Sequence, residues 1–454
     1  MLKNIVLKEI LDSLLNYKFL ITLLICFLLI LFTIFMGGVN YKKLLKEDRV
    51  ATVLQMRSLE NQPNYGFLGA VGINIHRAPS KLSLIASGLE QKAGRIAKVN
   101  IFSDPKIQSD FGTSLILNLF EFLDLTLIVK IVFSLVGLLL AHDIVSGEKE
   151  LGTLRLCFSN SLYRYIFLSG KTIGRISVLL ISLILPLLLG ISLVQLIITE
   201  LSFGKEEYLR LFTIIAVYIL YVLVFFFLGV FISTLANTTS TTMVIALLVW
   251  IVFVILIPST SMLLGTKFYP VPSPYEIEAK KDMILQNIQK EADKEVLKWI
   301  AEHPGEQMTP ELISELNKKY LNKREREARK VEEDYTKKLL TQLKISKNIA
   351  RISPTSCLSF AVMNLADTGF PAQQRFIKAL NKYQREFTNY INEKMKNIVQ
   401  MQKLDLSDMP KFKYPGISFK DSLKLSLIDI SILVIYLIFL FISAYVSFLR
   451  YDLR

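Results

Sequence analysis

Few residues in this chain have the types and spacing that covalent chemistry needs. Ser169-Gly170-Lys171-Thr172 ends like a loop that cradles nucleotide phosphates, yet the glycine such a loop requires five residues before Gly170 is Tyr165, and no buried strand precedes it. The segment reads as a decoy. His-Glu-x-x-His, Gly-x-Ser-x-Gly and paired Cys-x-x-Cys patterns are absent from the sequence, so no hydrolase or metal centre is expected. His76 has no second His, Cys or acidic cluster at metal spacing and reads as a surface or hydrogen-bonded histidine. Glu121 and Asp124 share a helix face three residues apart, but they form no acid–base pair with anything nearby. The chain has no means of its own to use a fuel, so it is not expected to be an enzyme or to hold a cofactor.

What remains is contact chemistry, and it concentrates in His142 to Arg175, HDIVSGEKELGTLRLCFSNSLYRYIFLSGKTIGR, between two long apolar runs. Lys149, Arg155, Arg164, Lys171 and Arg175 lie close to the flanking spans, and short loops of this kind stay on the cytoplasmic side. Ser146-Gly147-Glu148-Lys149 reads as a helix start, its small and acidic residues serving the first free N–H groups, with Glu148 and Glu150 at the positive end of the helix dipole. Leu151, Leu154, Leu156 and Phe158 give that helix an apolar side for a membrane or a partner. The plain alternative is an ordinary amphipathic cytoplasmic loop.

The run Glu148-Lys149-Glu150-Leu151-Gly152-Thr153-Leu154-Arg155, then Ser159-Asn160-Ser161, Arg164 and Gly170-Lys171, resembles the signature of type-2 ABC exporter permeases. Ser161 stands where many relatives have Pro, which bears on the local turn alone. The resemblance implies a cytoplasmic coupling helix that docks into a groove of a separate ATP-hydrolysing subunit. It places Glu148, Lys149, Glu150, Gly152, Thr153, Arg155, Ser159, Asn160, Arg164 and Lys171 at that contact. It further implies two ATPase subunits that bind the ATP and Mg, and a second copy of this chain, as a homodimer, or a related permease. Ile75 to Pro79, Leu82 to Gly88 and Ile352 to Gly369 resemble stretches of a subgroup with enlarged extracytoplasmic domains.

The elements that must position this loop are membrane spans. With 52% apolar residues, 20% charged residues and 454 positions, the chain reads as a membrane protein with substantial polar insertions. The formal net charge of +14 is spread over membrane-flanking and helical segments, so lipid headgroups rather than nucleic acid are its counter-charge. Cys26, Cys157 and Cys357 make no disulfide framework. Residues 1–18 read as an interfacial helix with Ile5, Val6, Ile10, Leu11, Leu14 and Leu15 on one face. The first span is expected over 19–36, turning at Gly37-Gly38. A small mixed extracytoplasmic domain follows over 39–112, and a second span with an outer extension over 114–142.

After the loop at 143–175, spans three to five occupy 176–264, with Pro186 and Gly190 as hinge candidates. Residues 265–422 read as a large helical extracytoplasmic domain, 427–449 as the sixth span and 450–454 as a cytoplasmic tail. The expected fold class is therefore an all-α membrane protein with six transmembrane helices and two outer domains. Its expected place is the cytoplasmic (inner) membrane, multi-pass, with both termini cytoplasmic. Glu121, Asp124, Lys130 and Asp429 are intramembrane or interfacial charges without an assigned role.

Two functional readings follow. The chain is the permease subunit of an ATP-driven transporter, in the exporting direction, or it transmits ATP-driven motion to envelope proteins through its outer helices without passing a substrate. A membrane receptor or enzyme ranks last, because neither an output domain nor a catalytic constellation is present.

Overall fold

The fold is that of a computed structural model, which describes residues 1–60, 62–90, 94–108, 124–159, 163–305, 307–396 and 404–451. Among the described residues six helices are long and apolar enough to cross a membrane. Helices dominate the rest as well, so the protein is an all-α membrane protein, with one small sheet among the described residues. The chain divides into two units, Met1–Val254 with Pro354–Arg454, and Ile255–Ser353.

In the first unit, α1 (Leu2–Leu15) breaks at Asn16, whose backbone is extended, and α2 (Tyr17–Glu60) then runs unbroken for 44 residues. The turn expected at Gly37-Gly38 does not form. Both glycines are instead places of close approach: a Cβ on Gly38 would come within 2.7 Å of Val194, and one on Gly37 would overlap the Leu84 carbonyl. Neighbouring helices override the local freedom of glycine, because only a bare Cα lets them come this near. Residues 39–60, read as part of a separate domain, belong to the first span's helix.

Next come α3 (Tyr65–Val71), β1 (Ile73–His76), β2 (Ile96–Val99) and β3 (Lys106–Gln108), an antiparallel sheet in sequential order with Ile73 opposite Val99 and Ala97 opposite Ile107. Alternation puts Ile73, Ile75, Ala97 and Val99 on the covered face. Residues 109–123 lie outside the described set, and with them Glu121 and the expected outer extension of the second span. The described span begins at α4 (Leu125–Ile128), passes through one π-helical stretch (Val129–Phe133) and continues as α5 (Ser134–Ala141).

Two short helices, α6 (Ser146–Glu150) and α7 (Thr153–Ser159), lead to α8 (Arg164–Ile197), α9 (Lys205–Leu235) and α10 (Thr239–Ile251). Of these α9 is the most enclosed, with Tyr218, Tyr221, Phe225 and Phe226 fully buried. By contrast α10 turns Val244, Ile245 and Leu248 outward, as a lipid-facing helix does.

In the second unit, α11 (Ile257–Phe268), α12 (Pro274–Glu302) and α13 (Pro310–Ala350) form a helical assembly. A Cβ on Gly265 would overlap Ser346, which locks α11 against α13. Ser273 and Glu276 close a capping box with Pro274 at the first position, fixing where α12 begins. Along the α12–α13 hairpin Lys319 pairs with Glu295 at 2.7 Å, and Lys281 and Lys323 pair with Glu332 and Glu291. Exposed pairs of this kind are screened by solvent, so they set register more than stability.

The first unit then resumes with α14 (Pro354–Leu365), α15 (Phe370–Lys396) and α16 (Phe419–Leu449). The stretch expected as one outer domain over 265–422 is thus divided. Helix α14 is buried among spans, with the Tyr221 and Thr355 hydroxyls 3.1 Å apart and Ser426 Oγ donating to the Ala361 carbonyl at 3.1 Å. Helix α15 instead buries Phe376, Leu380, Phe387 and Ile391 against the sheet, in one core with Leu59, Tyr65 and Leu68. The sheet segment and α15 each carry too few apolar residues for a core of their own, and together they make one.

Candidate functional site

Gly152, at φ +69°, separates α6 from α7. That left-handed backbone is open to glycine and costs other residues about 1–2 kcal/mol. Nothing lies within 4 Å of where its Cβ would be, so its need is conformational, and a close neighbour plays no part within the chain. The first N–H groups of α6 are not served by its own small and acidic residues. Ser233 of α9 accepts from both Val145 N and Ser146 N at 3.0 Å, while the Ser146 hydroxyl donates to the His142 carbonyl.

Three successive charged side chains of α6 then reach three different helices. Glu148 accepts from Lys171 of α8 at 2.6 Å and from the Thr153 hydroxyl. Lys149 donates to the Thr234 and Ala236 carbonyls at 2.6 and 3.1 Å, the free carbonyl end of α9, with the Tyr451 ring 4.2 Å from its ammonium. Glu150 accepts from Thr239 N at 2.8 Å and the Thr239 hydroxyl at 2.7 Å, the free N–H end of α10. The signs are those a helix dipole demands, a cation on the carbonyl end and an anion on the amide end. Arg164 completes the set by donating to the Leu449 and Tyr451 carbonyls at 2.6 and 2.9 Å, closing α16.

Beneath α6 lies a buried ionic cluster. Glu9 of α1 stands 3.4 Å from Lys171 and 3.0 Å from Arg175, and Arg175 also binds Asp143 and the Leu140 carbonyl that ends α5. Helix α1 comes this close to α8 because Gly170 and Gly174 offer no side chain: Cβ atoms there would come within 2.7 Å of Ile5 and 2.8 Å of Glu9. The glycine that made Gly170-Lys171 look like a phosphate loop is a helix-packing residue.

The sequence-predicted residues therefore divide. Glu148, Lys149, Thr153, Arg164 and Lys171 turn inward to other parts of the chain, Glu150 bonds Thr239 at the surface, and Ser159 donates to its own helix at Leu156. Gly152, Arg155, Leu151 and Leu156 are exposed, the two leucines at 77% and 66%. Asn160 lies outside the described residues. Glu9, Asp143, Ser233 and Thr239 are members that sequence reasoning missed. Glu9 alone left a signal, an acid four residues after Ile5 on the apolar stripe of α1.

Away from the loop, Asp124 caps α4 by accepting from Leu127 N at 2.8 Å and also accepts from the Ser87 hydroxyl at 3.2 Å. Lys130 sits in the π-helical stretch, where its carbonyl accepts from the Tyr221 hydroxyl at 2.8 Å. Asp429 is buried within α16. Pro186 lies inside the single helix α8, and a Cβ on Gly190 would come within 2.8 Å of Ile34.

The ends of α8, α9, α10 and α16 thus converge on one short amphipathic loop. The ABC-2 family transporter protein profile matches residues 3–453 of the chain. The chain belongs to the ABC-2 transporter family. An ABC-2 permease is the membrane component of an ABC transporter, and membership implies an ABC ATPase as partner. A search among curated proteins finds no match.

Proposed function

We propose that this ABC-2 permease exports a substrate by coupling ATP hydrolysis in a separate ATPase subunit, which holds the ATP and Mg, to movement of its spans. The supporting observation is that Glu148, Lys149, Glu150 and Arg164 attach one short loop to the ends of α8, α9, α10 and α16. A force on α6 and α7 reaches four helices through hydrogen bonds made by charged side chains. The face left for the ATPase is Leu151, Gly152, Arg155 and Leu156. In this reading the loop is cytoplasmic, both termini are cytoplasmic, the membrane is the inner one, and two copies of the chain meet two ATPases.

The test is co-purification in mild detergent with the ATPase subunit. Burying an exposed leucine contributes about 1.5–3 kcal/mol, so Leu151→Ser with Leu156→Ser should weaken ATPase retention tenfold or more while membrane insertion is unchanged. Full retention would remove this face from the docking role. For topology, single cysteines in a background without Cys26, Cys157 and Cys357 should react with an impermeant maleimide in intact cells at Lys330, and at Ser159 only after the membrane is opened. The alternative reading, mechanical transmission to envelope proteins, is favoured by the α12–α13 hairpin, whose helices of 29 and 41 residues are built for solvent by interspersed charges. It predicts ATPase activity that depends on the envelope partner and no substrate flux in vesicles.

A further inference from the structure

At the end of the first unit opposite the α6–α7 loop, a cleft of about 270 Å³ is lined by Arg77, Pro79, Lys81, Arg210, Asp367 and Tyr414, among others. Arg77 and Arg210 are 3% and 9% exposed, so two guanidinium groups are held nearly dry beside one cavity. The cleft is built by a long-range junction: Ser80 Oγ donates to the Ala366 carbonyl at 2.7 Å and Leu89 N to the Thr368 carbonyl at 2.9 Å. Asp367 at the corner has φ 58°, a positive value found at no other non-glycine among the described residues. Such strain persists only where the surroundings enforce it, and it gathers at binding sites.

Hydrogen-bond accounting gives the site its sign. The carboxylates of the wall are committed: Asp367 to Arg375, and Glu207 to Gly204 N at 2.8 Å and Lys81 at 3.3 Å. Glu206 stands 3.6 Å from Arg210, with its side chain 58% exposed. Arg77 reaches Glu90 and the Asp367 carbonyl only at 3.5 Å, at the limit of a hydrogen bond, and rests its guanidinium 4.9 Å from the Tyr414 ring. Of the five buried side-chain polar atoms without a hydrogen-bond partner among the described residues, Arg210 Nε is on a residue that lines the cleft, and Arg375 Nε, Thr368 Oγ1 and Glu90 Oε2 are on residues of the junction behind it. Two of the four are guanidinium donors, and a third is a hydroxyl able to donate. Buried polar groups are satisfied in the great majority of cases, so the unmet Arg210 donor on the cleft wall marks a place where an acceptor is to be supplied.

We propose that this cleft binds a phosphate group, presented either by a lipid headgroup or as free phosphate. Paired guanidinium groups match the several acceptor oxygens of phosphate, and their positive charge favours an anion over a neutral ligand. Arg210 immediately precedes the apolar run that begins at Leu211, which sets the cleft at the depth of lipid phosphates. The volume admits a phosphate with a glycerol-sized substituent.

The test uses the full chain in two arms. Calorimetric titration of lipid-stripped protein in detergent with inorganic phosphate reads the free source. Native mass spectrometry of the protein released from phosphatidylglycerol nanodiscs reads the lipid source as retained phospholipid. The expected result is saturable binding in at least one arm, weakened tenfold or more by Arg210→Gln and less by Arg210→Lys, which keeps the charge but loses the fork. Binding in only one arm identifies the source. Lys81→Gln, on the more exposed wall, and Arg77→Gln are measured alongside, so that the comparison stands if one variant fails to fold. No binding by the wild-type protein in either arm, or binding unchanged in every variant that folds, overturns the proposal.

Discussion

Replacing Glu148 by Gln and Lys171 by Met, singly and together, decides whether the charges of α6 are internal struts or docking groups. The pair is 2.6 Å apart, with side chains 21% and 10% exposed, so the partners are largely withdrawn from water. A hydrogen bond between charged groups contributes about 1.5–3 kcal/mol. Lys171 retains Glu9 at 3.4 Å when Glu148 is neutralised, which limits the loss, so Glu148→Gln should cost about 1–2 kcal/mol. Lys171→Met strips a partner from both acids while Arg175 still holds Glu9, and should cost about 2–3 kcal/mol. The double variant should cost less than the sum by about 1–2 kcal/mol, the coupling of two groups in contact. Unfolding in detergent of the four proteins reads this term, and ATPase retention by the same proteins is expected to change less than twofold. Additivity within about 0.5 kcal/mol would refute the strut, as would a loss of ATPase affinity in Glu148→Gln that is the same whether residue 171 is Lys or Met.

Two further outcomes are expected. Gly190→Ala should destabilise the bundle by about 1–3 kcal/mol through overlap with Ile34 Cδ1, and Ile34→Val, which removes that atom, should restore most of the loss of thermal midpoint; no rescue would make Gly190 a hinge rather than a spacer. Burial lowers the His76 imidazole below its ordinary value of about 6.5, so the folded state prefers the neutral ring. Its contribution is whole above about pH 6.5 and declines as pH falls from there through the lower folded value, because the unfolded chain then binds the extra proton. The thermal midpoint between pH 8 and 5 should show a step below 6.5 that His76→Gln abolishes, and an unchanged step would assign it elsewhere.

The membrane spans were legible because each is a long apolar run, and the loop because its residue order is specific. What the loop's charges touch was not legible. Glu148, Lys149 and Glu150 look alike on any exposed helix start, and their partners lie 23 to 89 residues away in sequence. The same holds for Glu9 with Arg175, 166 residues apart. Gly37-Gly38 misled because glycine's local freedom says nothing of the helix pressed against it. The shared core of the sheet and α15 stayed hidden because Ile73 and Phe376 come from segments that look solvated when each is read alone.

The unbroken α2 has a geometric consequence. At 1.5 Å per residue its 44 residues reach about 66 Å, roughly twice the hydrocarbon thickness of a bilayer. Ile30 and Ile34 anchor it among the spans, and Leu59, near the other end, belongs to the core shared by the sheet and α15. One continuous helix therefore joins the two cores. From those anchors to Leu59 is about 40 Å of helix, so a rotation of about 5° about them sweeps that end through roughly 3–4 Å, most of the spacing between adjacent strands. Small angles among the spans become ångström-scale travel of the sheet, like the needle of a gauge.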